Sequence, residues 1–530
     1  MSLMSRRTLL ENTAKGGVAL GAGTLLASCG GSSSSSSSTT SASGQSSSSS
    51  GAPKHGGTLH AGLTGGSSSD TVDPNLLVNN TDYARVQNIY EALVWLHADA
   101  TPYFRLAEEM TPNKDATVWT IRLRKGVTFQ NGKDLTADDL IFSLNRVVNP
   151  KSPGVAANAL KGIDAKGMKK VDNLTVSVPF ASPYSTLVET LANSTTPFIV
   201  PVGFDPKKPI GTGPFKLESF NPGQQTILAR NENYWNAPLP YLDQIVMTDY
   251  SDETSQVNAL LGGQVDVINL LSQDVLGTVT GSGKKAVISP GGGWNPFTMR
   301  VDSPPFNDVR VRQAFRLAVD RPKMLETVFG GHGTIGNDIF AIWAPEYDHS
   351  IPQRQYDPEQ AKSLLKAAGH ENLSIQLTTG DIAQGVINMA QVYAQQAAAA
   401  GINAKLRQVT VTDFYGPNYL KWVFAQDFWY YQPYFAQVNQ ATLPGSPYNE
   451  THFANPKYIK LYNQALATLD VSKRTEIAHE MMMIDYNEGG YIIPFFPAVI
   501  DGYAPNVSGI VESKLGASLN SWDFEHMWMS

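Results

Sequence analysis

Residues 303–320 read SPPFNDVRVRQAFRLAVD, and this stretch predicts one amphipathic helix. The pair Pro304-Pro305 excludes an earlier start, because proline has no amide hydrogen and restricts the residue before it. Asn307 is placed to cap the helix, and Asp308 lies where the helix dipole favours an anion. Apolar side chains then recur at helical spacing, at Val311, Ala314, Phe315 and Ala318. One helix with a buried face is therefore expected from here.

Other segments also follow the periodicity of regular structure. Residues 119–123, WTIRL, alternate apolar and polar side chains, which predicts a strand with one buried face. Thr136, with an acidic residue three positions later, predicts a helix start. Asp357, Pro358 and Gly369 mark the cap, first turn and end of another helix. Further elements are predicted as helices over 83–96, 387–400 and 473–487, and as strands over 373–377 and 403–409.

The opening stretch also carries a resemblance. Its run PPFNDVRVRQA, closed by AVDR at 318–321, resembles the start of the second lobe in family 5 extracellular solute-binding proteins, the receptors of peptide-type ABC importers. Other runs are similar to family motifs: IYEALV at 89–94, LAEEM at 106–110, WTIRLRKGVTF at 119–129 and PIGTGPFKL at 209–217. The resemblance extends from residue 55 onward.

The resemblance implies an α/β fold with two lobes joined at a hinge, the type II periplasmic-binding-protein fold. Lobe I would comprise residues 55–301 and 490–530, with an extra α+β subdomain inserted at about 100–205. Lobe II would comprise residues 302–489. At 530 residues the chain is long enough for several cores.

The N-terminal residues predict export and lipid attachment. Arg6 and Arg7 resemble a twin-arginine signal, a glycine-rich apolar segment follows, and residues 26–29, LASC, resemble a lipoprotein box. Residues 1–28 are thus expected to be a signal peptide, with the lipid on Cys29; a plain secretory leader is the alternative. Residues 29–54, mostly serine and glycine, are expected to be a flexible tether that holds the body outside the cytoplasm at the cell membrane.

Composition narrows the class of protein. Cys29 is the single cysteine, so no intrachain disulfide forms. The net charge of −7 argues against a nucleic-acid partner. No apolar run after the leader reaches the ~20 residues of a membrane span. No cofactor or metal is expected.

Several residues around position 430 are candidates for contact with the ligand. Peptide receptors of the family hold the ligand's amine with an aspartate, but the count back from Pro433 places Trp429 at that position, with Asp427 two residues earlier. Trp429 and Tyr430 are predicted to face the cleft, within an aromatic cluster that includes Trp422. Core packing is the alternative for these aromatic residues.

Three further positions are candidates for ligand contacts. Trp294 lies in a glycine-rich loop just before the hinge, and Gly65 and Ser67 belong to a polar loop after the first strand. Arg300 stands where the family commonly has asparagine, and it would clamp an anionic group or form a salt bridge with Asp302.

The sequence therefore predicts an extracytoplasmic receptor that captures a peptide-like solute by hinge closure and delivers it to an ABC permease. An oligosaccharide is the alternative ligand, since aromatic faces stack on sugars. A metal-chelate or haem receptor would use histidines such as His332 and His452. Rival classes are an exported hydrolase, for which no nucleophile or metalloprotease motif is present, and a purely structural lipoprotein.

Overall fold

The structure is a computed structural model that describes residues 52–193 and 195–530. The twin-arginine run, Cys29 and almost all of the serine-rich segment lie outside these residues, so the leader and the lipid attachment stay predictions. Within the described part of the chain, no helix combines the length and apolar character needed to cross a membrane.

Lobe I is built on a seven-stranded mixed sheet. Its strand Thr58–Thr64 pairs in parallel with strands on both sides, and Leu59, Ala61 and Leu63 are fully buried on its faces. The strands lie in the order Phe215–Asn221, Gln225–Arg230, Gln244–Tyr250, Thr58–Thr64, Val267–Ile268, Val499–Tyr503 and Lys285–Ser289. Its main helices are Asn80–Ile89, Glu253–Leu261 and Gln273–Gly281.

An α+β subdomain with its own core is inserted in lobe I. Its four-stranded sheet has the order Ala107–Pro112, Val118–Leu123, Thr175–Pro179 and Lys169–Lys170. Trp119, Ile121 and Leu123 are buried, as their alternation predicted. The helix Ala137–Val147 packs on this sheet, and the Asp139 carboxylate accepts hydrogen bonds from the Thr136 amide at 3.0 Å and hydroxyl at 2.7 Å. Shorter elements are Glu91–Ala92, Val94–Leu96, Pro102–Phe104, Ala157–Leu160, Leu187–Leu191 and Phe198–Ile199.

Lobe II is built on a five-stranded sheet with the order Asn403–Gln408, Ser374–Thr379, Phe424–Gln426, Phe297–Met299 and Tyr491–Ile492. The first two strands are parallel and joined through the helix Val386–Ala398, so the predicted βαβ unit is present. Strands Gly333–Ile335 and Phe495–Pro497 form a separate pair. The other helices are Val309–Leu317, Arg321–Phe329, Pro358–Ala367, Val411–Phe414, Tyr434–Ala441, Pro456–Leu466 and Val471–Glu488.

The chain crosses between the two large sheets at two places that touch. The first crossing lies between the strands that end at Ser289 and begin at Phe297, and the second lies at Ala498. Gly291 has φ +53°, and a β-carbon there would lie 2.3 Å from the Pro497 carbonyl oxygen. Glycine is therefore required where the two crossings pack together.

The helix expected from residues 303–320 is Val309–Leu317, and its arginines hold the end of the long helix Val471–Glu488. The Arg312 guanidinium donates to the Glu488 carbonyl oxygen at 2.7 Å. Arg316, fully buried, donates to the carbonyl oxygens of Asp485, Tyr486 and Tyr491 at 2.9–3.1 Å. These bonds satisfy carbonyl groups that a helix end leaves without partners, just before the second crossing.

A buried aspartate completes the same region. Asp338 accepts hydrogen bonds from Arg321 and Arg354 at 2.8 Å and from the Ile493 amide at 3.0 Å. Burial alone would raise the pKa of Asp338, but the surrounding guanidinium groups hold it below its usual value. The aspartate therefore binds the helix Arg321–Phe329 and the loop of Arg354 to the strand region near the second crossing.

Three predicted positions differ from the structure. Asp308, not Asn307, caps the helix, because the Asp308 side chain accepts from the Arg310 amide. The helix predicted over 83–96 ends at Ile89, where the chain becomes extended at Tyr90, and the strand Val94–Leu96 then packs in the core of the inserted subdomain. The sheet pairing also moves the lobe boundaries, since Phe297–Met299 and Tyr491–Ile492 pair within the lobe II sheet rather than belonging to lobe I.

We expect Arg316→Met to lower the free energy of unfolding by about 3 kcal/mol or more, because three carbonyl groups lose their donor and Asp338 loses a cation 3.9 Å away. Denaturant unfolding measures this change. Arg310→Met is the matched control, since Arg310 lies exposed on the same helix and pairs with Asp308. Equal losses in the two variants would contradict the role assigned to Arg316.

Candidate functional site

A cavity lies between the lobes and is lined by aromatic side chains. Its space amounts to about 490 Å³, including the part open to solvent. Aromatic side chains form much of the wall: Tyr83, Trp95, Tyr430, Tyr431 and Trp522. The polar groups between them are amides and a hydroxyl, from Asn80, Gln87, Asn193 and Ser521. None of the described lining residues carries a formal charge.

One wall of this aromatic cavity comes from the helix Asn80–Ile89. Asn79 caps this helix by accepting a hydrogen bond from the Asp82 amide at 3.0 Å. Asn80, Tyr83 and Gln87 then follow at spacings of three and four residues, so they share one helix face and all line the cavity. Within the described chain, the Gln87 amide and the Tyr83 hydroxyl form no hydrogen bond, which leaves both groups available to a ligand.

A left-handed turn supplies the opposite wall. Residues Leu519, Asn520, Ser521 and Trp522 all have φ between +50° and +65°, a conformation that costs roughly 1–2 kcal/mol for each L-residue. The buried Asp501 carboxylate holds the turn by accepting from the Leu519 amide at 2.6 Å. Burial raises the pKa of Asp501 to about 6. The strained backbone places Ser521 and Trp522 in the cavity wall.

Tyr430 connects the two lobes across the cavity. Its hydroxyl donates a hydrogen bond to the Asn80 side-chain oxygen at 2.9 Å, and its ring meets the Tyr83 ring edge-on at 6.2 Å. Burial raises the pKa of Tyr430 to about 12, so the hydroxyl remains a donor at neutral pH. The prediction that Tyr430 faces the cleft agrees with this position, while its contact with a ligand stays a prediction.

Trp294 and Trp429 lie in the core of lobe II instead of the cavity wall. Their rings stack at 5.7 Å and 10°, and their backbones exchange two hydrogen bonds of 2.9 Å. They are 1% and 8% exposed, and they pack with Phe340 and Tyr491. Neither ring lines the aromatic cavity, because the alternation along the chain turns Tyr430, the neighbour of Trp429, toward it. The predicted contact of Trp429 and Trp294 with a ligand stays a prediction without geometric support.

Asp427 and Trp422 line a separate small cavity inside lobe II. Asp427 is 3% exposed and accepts hydrogen bonds from the Tyr415 hydroxyl at 2.8 Å and the Tyr419 hydroxyl at 3.0 Å. Burial raises the pKa of Asp427, which lies beside the equally buried Glu450. The Trp422 indole donates to the Phe414 carbonyl oxygen at 3.1 Å. Neither residue reaches the aromatic cavity, and their contact with a ligand stays a prediction.

Arg300 forms the salt bridge that was one of its two predicted roles. Its guanidinium donates to both Asp302 oxygens, at 2.9 and 2.7 Å, and the His452 ring also approaches Asp302 at 3.1 Å. The bond from Arg300 holds the pKa of Asp302 below its usual value. The guanidinium is thus occupied by an acid on its own loop, and an anion clamp has no support from this geometry.

The loop of Gly65 and Ser67 directs its polar groups into lobe I. The Ser67 amide donates to Asp70 at 2.8 Å, so it is not offered to the cavity. Gly65 has φ +109°, which favours glycine for conformational reasons alone. The expected role of Gly65 and Ser67 in ligand contact therefore stays a prediction without geometric support.

Sequence reasoning missed most of the cavity wall. Asn80, Tyr83 and Gln87 carry a signal that was available, since their spacing places them on one face of a predicted helix. Trp95 was placed on that same helix, but it lies on a strand. Trp522 had no local signal, because its position depends on the left-handed turn.

The sequence matches a known protein family over more than half of its length. Residues 101–457 match the model of the bacterial extracellular solute-binding proteins, family 5 (middle region). The chain belongs to this family. A similar curated protein is the glutathione-binding protein GsiB of Salmonella choleraesuis (strain SC-B67), 27% identical over 473 residues that cover 84% of this chain and 90% of GsiB. GsiB of Escherichia coli (strain K12) is 26% identical over 471 residues, with the same coverage.

Solved structures show the two-lobed type II periplasmic-binding-protein fold of family 5. One is DppA, an ABC transporter-associated periplasmic binding protein from Helicobacter pylori in complex with the peptide STSA, with TM-score 0.76, 21% identity and coverage of 90% and 98% of the two chains. Another is the oligopeptide-binding protein AppA from Bacillus subtilis in complex with a nonapeptide, with TM-score 0.74, 20% identity and coverage of 90% and 100%. Membership of a solute-binding family disfavours the exported hydrolase.

We expect Trp429→Ala to lower the free energy of unfolding by about 3–5 kcal/mol, because it removes a stacked ring from the lobe II core. Tyr430→Ala, one residue along, is the matched control and is expected to cost less, since the Tyr430 side chain lies at the cavity. Denaturant unfolding of both variants tests this. A stable Trp429→Ala protein with weakened ligand binding would return Trp429 to the site.

Proposed function

We propose that this family 5 protein is the receptor of an ABC importer and captures a short peptide-like solute in the aromatic cavity. The observation that carries the proposal is the cavity itself, whose walls come from both lobes and meet at the Tyr430 and Asn80 side chains. A solute bound there contacts both lobes, so its binding favours the arrangement in which they are closed.

Contacts between the inserted subdomain and lobe II support closure. The Arg474 side chain of lobe II pairs with Glu189 of the subdomain at 2.5 Å. The Ser185 amide and hydroxyl donate to the Leu466 and Ala465 carbonyl oxygens, each at 2.8 Å. These bonds lie outside the aromatic cavity, so they add to closure without contacting the solute.

The size and chemistry of the cavity favour a solute of a few residues. Side chains from both lobes enclose the cavity, which suits a di- or tripeptide better than a long chain. The aromatic wall buries apolar side chains, while the amides of Asn80 and Gln87 are matched to peptide groups. Glutathione, a tripeptide, is the ligand in the printed name of the GsiB relatives, which is consistent with this size.

Thermal unfolding of the purified protein, stripped of bound ligand by unfolding and refolding, tests the proposal. Di- and tripeptides, including glutathione, are expected to raise the melting temperature by about 2–3 °C when present at 100 times their dissociation constant. Oligosaccharides are tested in the same way as the alternative ligands. If sugars stabilise the protein and peptides do not, the peptide proposal fails.

Tyr430→Ala is expected to weaken binding of the stabilising peptide by tenfold or more, because the variant removes both the aromatic contact and the bridge to Asn80. Isothermal titration calorimetry measures the affinity. Tyr356→Ala is the matched control, since this tyrosine is 37% exposed on the surface of lobe II. An unchanged affinity in Tyr430→Ala would remove Tyr430 from the site.

We also propose that the protein is exported and held at the membrane by a lipid on Cys29. The support is sequence alone: the twin-arginine run, the lipoprotein box and the serine-rich tether. Cys29→Ser is expected to move the protein from the membrane fraction to the soluble fraction after export. Retention of the variant in the membrane fraction would contradict the anchor.

A further inference from the structure

A second chamber lies beside the aromatic cavity, and acidic side chains form part of its wall. The two spaces share Gln87, Trp95 and Trp522 as lining residues, so these side chains lie between them, and we call this shared boundary the waist. The second space amounts to about 330 Å³, including its open part. We call it the acidic chamber, because its wall includes Glu91, Asp523 and Glu525.

The charges around the acidic chamber do not balance within its wall. Arg105 is its one described cationic lining residue, against three carboxyl groups. Arg105 binds Glu91 at 2.7 Å and Glu525 at 2.9 Å. His526 lies behind the wall and pairs with Asp523 at 2.7 Å. Arg105 and the His526 ring together face three carboxyl groups, so the acids outnumber the cations by one and the chamber is better suited to a cation than to an anion.

Both carboxylate oxygens of Glu91 accept hydrogen bonds from neighbouring side chains. One of its oxygens accepts hydrogen bonds from Arg105 at 2.7 Å and from the Tyr234 hydroxyl at 2.8 Å. The other oxygen accepts from the Trp235 indole at 2.9 Å. Glu91 is thus a structural member of the network and has little capacity left for a ligand.

Glu525 differs, because one of its oxygens is unused. Its Oε2 atom contacts Arg105 at 2.9 Å and Tyr234 at 2.8 Å. Its Oε1 atom accepts no hydrogen bond within the described residues, and the His526 ring nitrogen is 3.9 Å away. The side chain is only 2% exposed, yet it lines the chamber. Oε1 is therefore the atom of this carboxyl group that is left to a further hydrogen-bond donor.

The ionisation of Glu525 agrees with this geometry. Burial raises the pKa of the Glu525 carboxyl, while the Arg105 charge opposes the rise. A second cation beside Oε1 would favour the ionised carboxylate, so binding of a cation and ionisation of Glu525 support each other.

The waist suits a long side chain that ends in a charge. The rings of Trp95 and Trp522 contact methylene groups favourably, and indole faces also attract cations. The Gln87 amide has no partner among the described residues and can accept a hydrogen bond from a passing group. A lysine or arginine side chain has this combination of an apolar stem and a cationic end.

We propose that the acidic chamber receives the cationic end of a basic side chain of the solute, whose main chain lies in the aromatic cavity. This inference rests on the proposed function, because it assigns a solute class to the same site. Glu525 and Asp523 are the specificity-determining acids, and Glu91 and Arg105 position them.

Two tripeptides test the inference on the unmodified protein. Ala-Lys-Ala and Ala-norleucine-Ala have similar side-chain lengths and differ in the terminal ammonium group. Isothermal titration calorimetry at low ionic strength is expected to give at least tenfold tighter binding of the lysine peptide. Equal affinities overturn the inference but leave the proposed function intact, whereas no binding of any peptide contradicts the proposed function itself.

The variant Glu525→Gln tests whether Glu525 causes the preference for the lysine peptide. This variant is expected to reduce the ratio of the two affinities to about one. Glu480→Gln is the matched control, because Glu480 lies exposed on the helix Val471–Glu488 of lobe II, and it is expected to keep the ratio. If Glu525→Gln does not fold, Asp523→Asn is measured instead, with a severalfold loss of the ratio expected. A ratio that survives in the folded variants overturns the assignment.

A metal ion is the competing occupant. Asp523, Glu525 and His526 each place one ligand atom within 4.8 Å of the others. The Asp523 carboxylate raises the pKa of His526 to about 9, although burial opposes the rise, so the ring is protonated at neutral pH and is a poor ligand. Stabilisation by Zn²⁺ without peptide, lost in His526→Ala, would make this a metal site and overturn the inference.

Discussion

The two-lobed arrangement depends on how Arg312 and Arg316 hold the end of the long helix Val471–Glu488. That helix ends at Glu488, before the chain returns to lobe I at Ala498, and its last turn leaves carbonyl groups without helical partners. Guanidinium groups from the helix Val309–Leu317, which begins just after the first crossing, supply the missing donors. Hydrogen bonds therefore join the start and the end of lobe II beside the hinge. Asp338 adds a hydrogen bond from the Ile493 amide in the strand region.

This arrangement explains why the cavity wall comes from distant parts of the chain. Asn80 and Tyr83 belong to the first helix of lobe I, Tyr430 to lobe II, and Trp522 to the segment after the second crossing. Three different elements position these residues. Asn80 and Tyr83 lie on a capped helix, Tyr430 on a loop that follows the buried strand Phe424–Gln426, and Trp522 on a left-handed turn held by Asp501. The site thus exists only when both crossings and both cores are formed.

The sequence predicted the features that depend on interactions between residues close together in the chain. Asp357 and Pro358 begin a helix as expected, and Thr136 binds Asp139 as its spacing indicated, because caps are local interactions. The helix expected over 83–96 was wrong at its end, since burial of Glu91 against Arg105 outweighs helical periodicity there. The family resemblance gave the fold and the solute-binding class. It did not give the wall of the cavity: Trp429 and Tyr430 differ in role by one step of backbone alternation, and Trp522 depends on tertiary contacts with Asp501.

The position of the left-handed turn also sets an order of assembly during biosynthesis. The helix that carries Asn80 is made early, but the acidic chamber lacks Trp522, Asp523 and Glu525 until more than 400 further residues have been synthesised. A nascent chain can therefore complete the five-stranded sheet of lobe II while the ligand cavity is still open on one side. Solute encountered at that stage finds no closed site, so recognition is confined to the finished protein.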